Sequence, residues 1–411
     1  MSVQIGSTLK KFDISSPEGK KNFDFTQQTS GIKYYEDITD TSIHLTIGIQ
    51  DVFGRFNKLP VRSGNKVSFE IESNGATLSL EDLMISNIIG YNPEAKRETY
   101  ALVMETNSAF ENHTTRVFEK YTGKISDSVT KIMKDKLGVD MFDIDDTNNN
   151  YEFVGGYRRP LLACTWLAKK SIDAPTSSDT KGSAGFLFYQ TQDGYHFKSI
   201  DGLFKKAKED EGSIVKYEYK IDKDTNFDAL KNLFTVVSQP VVESSHNILQ
   251  QLNAGHYKTA NWYYDIITRK PAFVEYSYRD SASEEMEISA DETVTPKLDE
   301  NYSRIILQTV DRGCLSVKGD LTATSDQYYY QAQATTRYSS LFSQRMKVTV
   351  PINLKLRAGQ VIFLKLPEIN STRLSGPQSG LYLISKLCHE FGGDKDFTGL
   401  ELVRDSYQEL A

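Results

Sequence analysis

Ile43-His44-Leu45-Thr46-Ile47-Gly48-Ile49-Gln50 is the stretch that decides the fold class of this chain. Ile43, Leu45, Ile47 and Ile49 alternate with His44, Thr46, Gly48 and Gln50. A period of two turns one set toward a core and the other toward solvent or a partner, which is a strand and not a helix. The same alternation returns at Val67, Phe69 and Ile71 against Ser68, Glu70 and Glu72, and again at Tyr100, Leu102 and Met104. Ser63-Gly64-Asn65, Ser73-Asn74-Gly75 and Tyr91-Asn92-Pro93 read as turns between these runs. Residues 1–120 are therefore expected to form a small antiparallel barrel or sandwich.

Beyond this region the pattern changes. Ser126 or Asp127 is placed to cap a helix with Val129, Ile132, Met133 and Leu137 on its apolar face, stopped by Gly138. A polar loop, residues 143–150, precedes a second helix opened by Pro160 and carrying Leu162, Trp166 and Leu167. Ser171–Ser183 reads as a loop. Gly185-Phe186-Leu187-Phe188-Tyr189, the turn Gln192-Asp193-Gly194 and Tyr195-His196-Phe197 read as a hairpin. Residues 121–212 are thus an expected α/β unit. Strand signals resume at Tyr217, Tyr219 and Ile221, and at Val274, Tyr276 and Tyr278 alternating with Glu275, Ser277 and Arg279. Ser281–Glu300 is acidic and poor in apolar residues, an expected exposed excursion of no assigned role. Asp326 is placed to cap a helix carrying Tyr330, Ala334, Tyr338, Leu341 and Phe342. Lys347–Val350, Val361–Leu366, Leu381–Cys388 and Gly399–Val403 are β again. Residues 213–411 are read as a second β domain with an inserted segment around 270–330.

One internal echo links the two β regions. Arg62-Ser63-Gly64-Asn65-Lys66-Val67-Ser68-Phe69 resembles Arg357-Ala358-Gly359-Gln360-Val361-Ile362-Phe363 if one gap is allowed. Both enter a strand from a turn where glycine tolerates a positive φ. A true duplication would leave two related β domains separated by an insertion.

Bulk properties narrow the function. At 411 residues the chain exceeds a single core, and with 39% apolar and 25% charged residues it reads as globular. It holds 23 Tyr and 21 Phe but only 2 Trp, a bias suited to strands and interfaces. A formal net charge of −7 without long Lys/Arg blocks argues against a role that grips nucleic acid. Cys164, Cys314 and Cys388 are few and far apart, which fits buried thiols in a reducing compartment and not a disulfide framework. No signal peptide and no membrane-spanning run is read.

Catalytic signatures are not found. The histidines form no zinc motif, and His389-Glu390 stands alone as a structural pair. There is no nucleophile elbow, Walker loop or dinucleotide fingerprint. Asp143–Glu152 is only faintly like a calcium loop, lacking its central Gly. No catalytic, metal or cofactor residue is assigned, and the chain is expected not to be an enzyme.

Four stretches, taken in order, resemble the baseplate hub family of contractile-tailed phages, itself similar to the base of type VI secretion spikes. They are Ile43 to Phe69; Arg116-Val117-Phe118 through Gly123-Lys124-Ile125 to Leu137-Gly138; Gly185 to Tyr189 with Asp193 to Ile200; and the Tyr338 helix through Val348, Leu356 to Gly359, Val361 to Pro367, Gly380 to Ile384 and Gly399 to Arg404. The resemblance implies a mainly β fold with α+β insertions: two tube-protein-like antiparallel β-barrel domains plus intervening α/β domains. It implies a homotrimer presenting six similar barrels as a symmetry adaptor, with a tail tube protein above, a spike protein below, and other baseplate and tape-measure proteins around it. DNA would pass only in transit, through a neutral or negative lumen, in a virion tail baseplate assembled in the host cytoplasm. Aromatic anchors of such interfaces are sought at Tyr217, Tyr219, Tyr276, Tyr278, Tyr328, Tyr329 and Tyr330, each of which could equally fill a core. The alternatives are another tube-like or secretion-spike protein, a cell-wall-degrading tail enzyme, or a stand-alone ligand-binding module.

Overall fold

The computed structural model describes residues 7–16, 19, 21–58, 61–173, 182–209, 212, 214–220, 233–245, 247–255, 257–266, 269–278, 298, 300–310, 327–367, 378–392 and 396–405. The readings made on Ile221, Arg279, Cys314, the Asp326 cap and nearly all of Ser281–Glu300 lie outside them.

The chain is mainly β with helical insertions. Its first part holds β1 (Thr8–Ser15), β2 (Asn22–Asp24), β3 (Thr29–Asp37), β4 (His44–Asp51), the one-turn α1 (Arg55–Lys58), β5 (Lys66–Ser73), β6 (Ala76–Pro93) and β7 (Glu98–Thr106). A middle block follows, with α2 (Asn107–Thr114), β8 (Lys120–Tyr121), α3 (Ile125–Leu137), β9 (Met141–Ile144), β10 (Phe153–Val154), α4 (Pro160–Ala168), β11 (Phe186–Thr191), β12 (Gly194–Ser199) and α5 (Ile200–Glu209). The last part holds β13 (Val215–Glu218), β14 (Val241–Ser245), α6 (Ile248–Ala254), β15 (Lys258–Asp265), β16 (Lys270–Ser277), β17 (Arg304–Val310), α7 (Gln327–Leu341), β18 (Gln344–Pro351), β19 (Val361–Lys365), β20 (Gly380–Phe391) and β21 (Phe397–Arg404).

The first and last parts share one sheet, ordered β14-β18-β21-β20-β3-β4-β7-β6-β5-β1-β2, with β19 and then β13 branching from β20. Alternation did what periodicity demanded. Leu45, Ile47 and Ile49 are buried with Val67, Phe69 and Ile71, and one apolar core runs from them to Met346, Val348, Val350, Leu400 and Leu402. The middle block has its own core around Val129, Ile132, Met133, Leu167, Phe186 and Phe197. A third cluster, including Ile38, Tyr189, Phe204, Leu341, Ala358 and Val403, ties block and sheet together.

The internal echo is structural, and it needs no gap. Arg62 N donates to Asn65 Oδ1 at 2.7 Å, and Arg357 N donates to Gln360 Oε1 at 3.1 Å. Gly64 N donates to Ile85 O at 2.8 Å, and Gly359 N to Ile384 O at 2.9 Å. Ile85 N returns a bond to Asn65 O, and Ile384 N to Gln360 O. The two glycines have φ of +92° and +86°. Arg62, Asn65, Val67 and Phe69 thus correspond to Arg357, Gln360, Ile362 and Leu364. The correspondence continues outward from the turn. β5 meets β6 at Val67 opposite Leu83, as β19 meets β20 at Ile362 opposite Tyr382. A bulge between Ile85 and Asn87 in β6 recurs between Ile384 and Lys386 in β20. Leu45 opposes Met104 as Met346 opposes Leu402, and Tyr34 opposes Leu45 as Val242 opposes Met346. The lobes β3-β4-β7-β6-β5 and β14-β18-β21-β20-β19 therefore share strand order, directions and a bulge. They diverge beyond that: β1 joins β5 antiparallel, whereas β13 joins β19 parallel.

Several local readings are corrected. The helix read from Ser126 or Asp127 is α3, which starts at Ile125 with Lys124 at its N-cap, so both residues lie inside it and Ser126 is buried. Ser126 N donates to Thr147 Oγ1 at 3.1 Å, so Ser126 anchors a loop instead of capping. Gly138 does end the helix, left-handed at φ 63°. Pro160 opens α4 at its first turn, but the buried face is Leu161, Ala163, Cys164 and Leu167, with Leu162 outside. Tyr91-Asn92-Pro93 is no turn: β6 runs through it, and the reversal comes at Glu94–Arg97, where Glu94 N donates to Arg97 O.

Candidate interaction surfaces

A buried polar junction lies where the sheet, the middle block and the duplicated turn meet. Glu36, on β3, is buried. Its Oε1 accepts from Tyr34 Oη at 2.7 Å and from Gln192 N at 2.8 Å. Its Oε2 accepts from Ala358 N at 2.8 Å. Beside it Arg357 Nε donates to Asp193 Oδ2 at 2.9 Å. One carboxyl thus fixes three chain segments that are far apart in sequence. Burial pushes the Glu36 carboxyl up to about 7, with the Ala358, Gln192 and Tyr34 donors and the Arg357 charge pulling the other way.

A raised carboxyl value means that the folded chain holds this proton over a window where the unfolded chain has lost it, from the ordinary 4.5 to about 7. Stability from this group is therefore greatest at the acid end of the window and is lost as pH rises through 7. The slope limit is about 1.4 kcal/mol per pH unit. The expected result is a melting temperature that drops between pH values near the two ends of that window, with the drop much reduced in Glu36→Gln. An unchanged pH slope in that variant would show that another group titrates.

The sheet has a second, solvent-facing side. A row crosses it from Asp37 through Lys386, Glu401 and Lys347, directly opposed strand by strand. Lys386 Nζ lies 3.1 Å from Asp37 Oδ2, and Lys33 Nζ 3.0 Å from Glu390 Oε1. Lys347 also pairs with Glu243. Exposed as they are, these pairs are worth little to stability; they set the sign pattern of the face, which alternates.

The edges of β6 and β14 are among those without a sheet neighbour among the described residues. β5 leaves β6 at Lys66 opposite Met84, so the outer edge of β6 beyond Ile85 has only β7 beside it. β14 has only β18. A separate three-stranded sheet, β16-β15-β17, presents Trp262, Tyr264, Phe273, Ile305 and Leu307 outward.

The tyrosines singled out from sequence are distributed differently. Tyr217, Tyr276 and Tyr278 are buried within the single chain. Asn353 Nδ2 donates to Tyr217 Oη at 3.0 Å, and the Tyr276 ring packs 5.8 Å from Tyr329. Tyr219 is half-buried against the main core. Tyr329 and Tyr330 are half-buried on α7, and the side chain of Tyr328 lies outside the described residues. Alternation alone could not separate rings buried by their own chain from rings left outside, such as Trp262. His389 fits the structural role read for it: buried, stacked on Tyr34, bonded through Nδ1 to Thr398 Oγ1 at 2.9 Å, and held by burial near 3. In the calcium-like loop, Asp143 and Asp145 are bonded by the Lys198 ammonium. Among the described residues no cluster of metal-ligating side chains occurs, and no helix is long and apolar enough to cross a membrane.

No family model and no curated protein matches the chain. Solved structures do. The tail protein from Neisseria meningitidis MC58 superposes with a TM-score of 0.58 at 11% identity, covering 97% of each chain. The 43 kDa tail protein of prophage MuSo2 from Shewanella oneidensis superposes with a TM-score of 0.55 at 10% identity, over 96% of this chain and 98% of that one. The chain has the fold of phage tail proteins. A chain of the Francisella PdpA–VgrG complex is similar over 98% of this sequence and 59% of its own, with a TM-score of 0.50 at 9% identity. The near-complete coverage means that both lobes and the middle block belong to the shared tail-protein fold, insertions included.

Proposed function

We propose that the chain is a baseplate hub subunit of a phage tail. Three copies would form a pseudo-six-fold ring that joins the tail tube to a three-fold spike and leaves a channel for DNA. The observation that carries this reading is the duplicated lobe, with its repeated turn, bulge and strand order in one sheet. Two equivalent lobes per copy let a three-fold ring offer six similar units on one side, and closed symmetry ends the assembly at a ring. The unlike middle block then supplies the surface that keeps three-fold character for the spike.

The solvent side of the shared sheet is the proposed channel wall. Its cations alternate with Asp37, Glu390 and Glu401, whereas a wall of unpaired Lys and Arg would hold phosphates. Tyr219, Tyr329 and Tyr330 remain interface candidates, together with the outward Trp262 and Phe273. The proposed role is structural and not enzymatic, in a virion tail baseplate assembled in the host cytoplasm, with other baseplate and tape-measure proteins as further partners. The likeness to the PdpA–VgrG chain favours a second reading, the base of a secretion spike, built on the same ring.

The test is the mass of the purified chain in solution, with electron-microscopy averages viewed down the particle axis. A trimer with six similar lobes around an open centre is expected. A particle with three lobes, or with lobes of two unlike kinds, would overturn the adaptor reading. Incubation with peptidoglycan is expected to release neither sugar nor peptide.

A further inference from the structure

The chain already contains one seam between its two lobes, and that seam specifies another. Inside the chain, β20 of the second lobe pairs antiparallel with β3 of the first, with Lys386 opposite Asp37, Leu387 opposite Glu36, and Cys388 opposite Tyr35. Leu387 and Tyr34 are buried by this contact. By the duplication, β6 is the counterpart of β20, and β14 is the counterpart of β3. Both belong to the edges left without a neighbour among the described residues. They also carry exposed apolar side chains: Ile89 is 44% exposed and Tyr91 46%, while Val241 is 56% exposed and Val242 37%, although Tyr34, the counterpart of Val242, is buried by the internal seam. A long, exposed, apolar strand edge is a template for another strand.

We propose that β6 of one copy pairs antiparallel with β14 of the next copy, in the register that β20 makes with β3. The inference rests on the ring reading above and gives that ring its contact. Carried through the shared bulge, Lys386 and Leu387 map to Asn87 and Ile88, and Cys388 to Ile89. Tyr34 and Tyr35 map to Val242 and Ser244, since Glu243 is an extra residue in β14, and Glu36 maps to Ser245. Ile88 then lies opposite Ser245, Ile89 opposite Ser244, and Asn92 opposite Val241. Where the internal seam holds the pairs Lys33–Glu390 and Lys386–Asp37 on its solvent side, the seam between copies sets Ile89 and Val241 on that side and Ile88 and Val242 on the other. An unlike pair of edges on each copy makes a head-to-tail contact, which closes into a ring when its rotation matches that of the internal seam.

The experiment uses the full chain carrying Cys314→Ser and Cys388→Ser, with Cys164 buried and left in place. One preparation also carries Ile89→Cys and another Ser244→Cys. Directly opposed residues of neighbouring strands lie within disulfide reach. Oxidising a mixture of the two is expected to double the 46.5 kDa chain mass on a non-reducing gel, and oxidising either alone is expected to leave it unchanged. A dimer from either variant alone would mean that like edges meet, and would overturn the proposal. A trimer in solution with no cross-link in the mixture would overturn this seam and leave the ring reading standing. A chain that stays monomeric at its highest soluble concentration, without cross-linking, would overturn both.

Discussion

Arg337→Met is expected to cost about 3–5 kcal/mol of stability, as removing one partner from a buried ion pair does. Arg337 lies on α7 and is only 1% exposed. Its guanidinium bonds Asp201, in the first turn of α5, and reaches to 3.6 Å from Asp405, just past β21. Both carboxylates are buried too. One cation thus holds the middle block and the end of the second lobe against the same helix. Methionine keeps most of the volume but removes the cation that both carboxylates share. Chemical denaturation measures the loss. A drop below about 1 kcal/mol would mean that water reaches the site and screens the carboxylates. Adding Asp201→Asn to the variant is expected to recover part of the loss, because it removes one of the two buried carboxylate charges.

Gly359→Ala is expected to destabilise by about 2–5 kcal/mol, and Gly64→Ala by only about 1–2 kcal/mol, although both occupy the same turn. Both glycines are left-handed, so both variants pay backbone strain of similar size. The surroundings differ. A Cβ on Gly64 meets nothing within 4 Å, whereas a Cβ on Gly359 falls 2.2 Å from Tyr189 Oη and 2.8 Å from its Cζ. Tyr189 cannot swing away, being 2% exposed and stacked on His196 at 5.0 Å. The duplication makes Gly64 an internal control, and thermal melts of the two variants give the comparison. Equal losses would mean that Tyr189 yields, and that the middle block packs loosely on this turn.

The contrast between these turns illustrates what could be read in advance. Gly64 and Gly359 stand out in the sequence as turn glycines entering strands, and their local hydrogen bonds follow from that. The one gap introduced in aligning the echo came from matching Phe69 to Phe363 by residue type. Burial matches Phe69 to Leu364 instead, because a pleated strand equates positions by the side they face. Likewise Tyr91-Asn92-Pro93 has turn residues, yet β6 continues through them. A free edge tolerates proline, which has no N–H to give.

The α3 start, the buried face of α4 and the fate of the tyrosines were decided by neighbours distant in sequence. Thr147 claims Ser126, and α4, packed on α3 and β11, turns Leu161 and Cys164 into the core and leaves Leu162 outside. Glu36 had no sequence signal at all. It sits in an ordinary alternating strand, and its three donors come from residues 34, 192 and 358.

Period-two alternation, turn glycines and the Pro160 and Gly138 helix stops determined by themselves that this chain is mainly β with an α/β block inside, because those signals act between residues only a few positions apart. Which strands became neighbours was settled only in three dimensions. β20 chose β3 across most of the chain length, burying Tyr34 and Leu387, while among the described residues β6 and β14 keep open edges. Side-chain periodicity says which way a residue faces, but it carries no information about which distant strand will lie beside it.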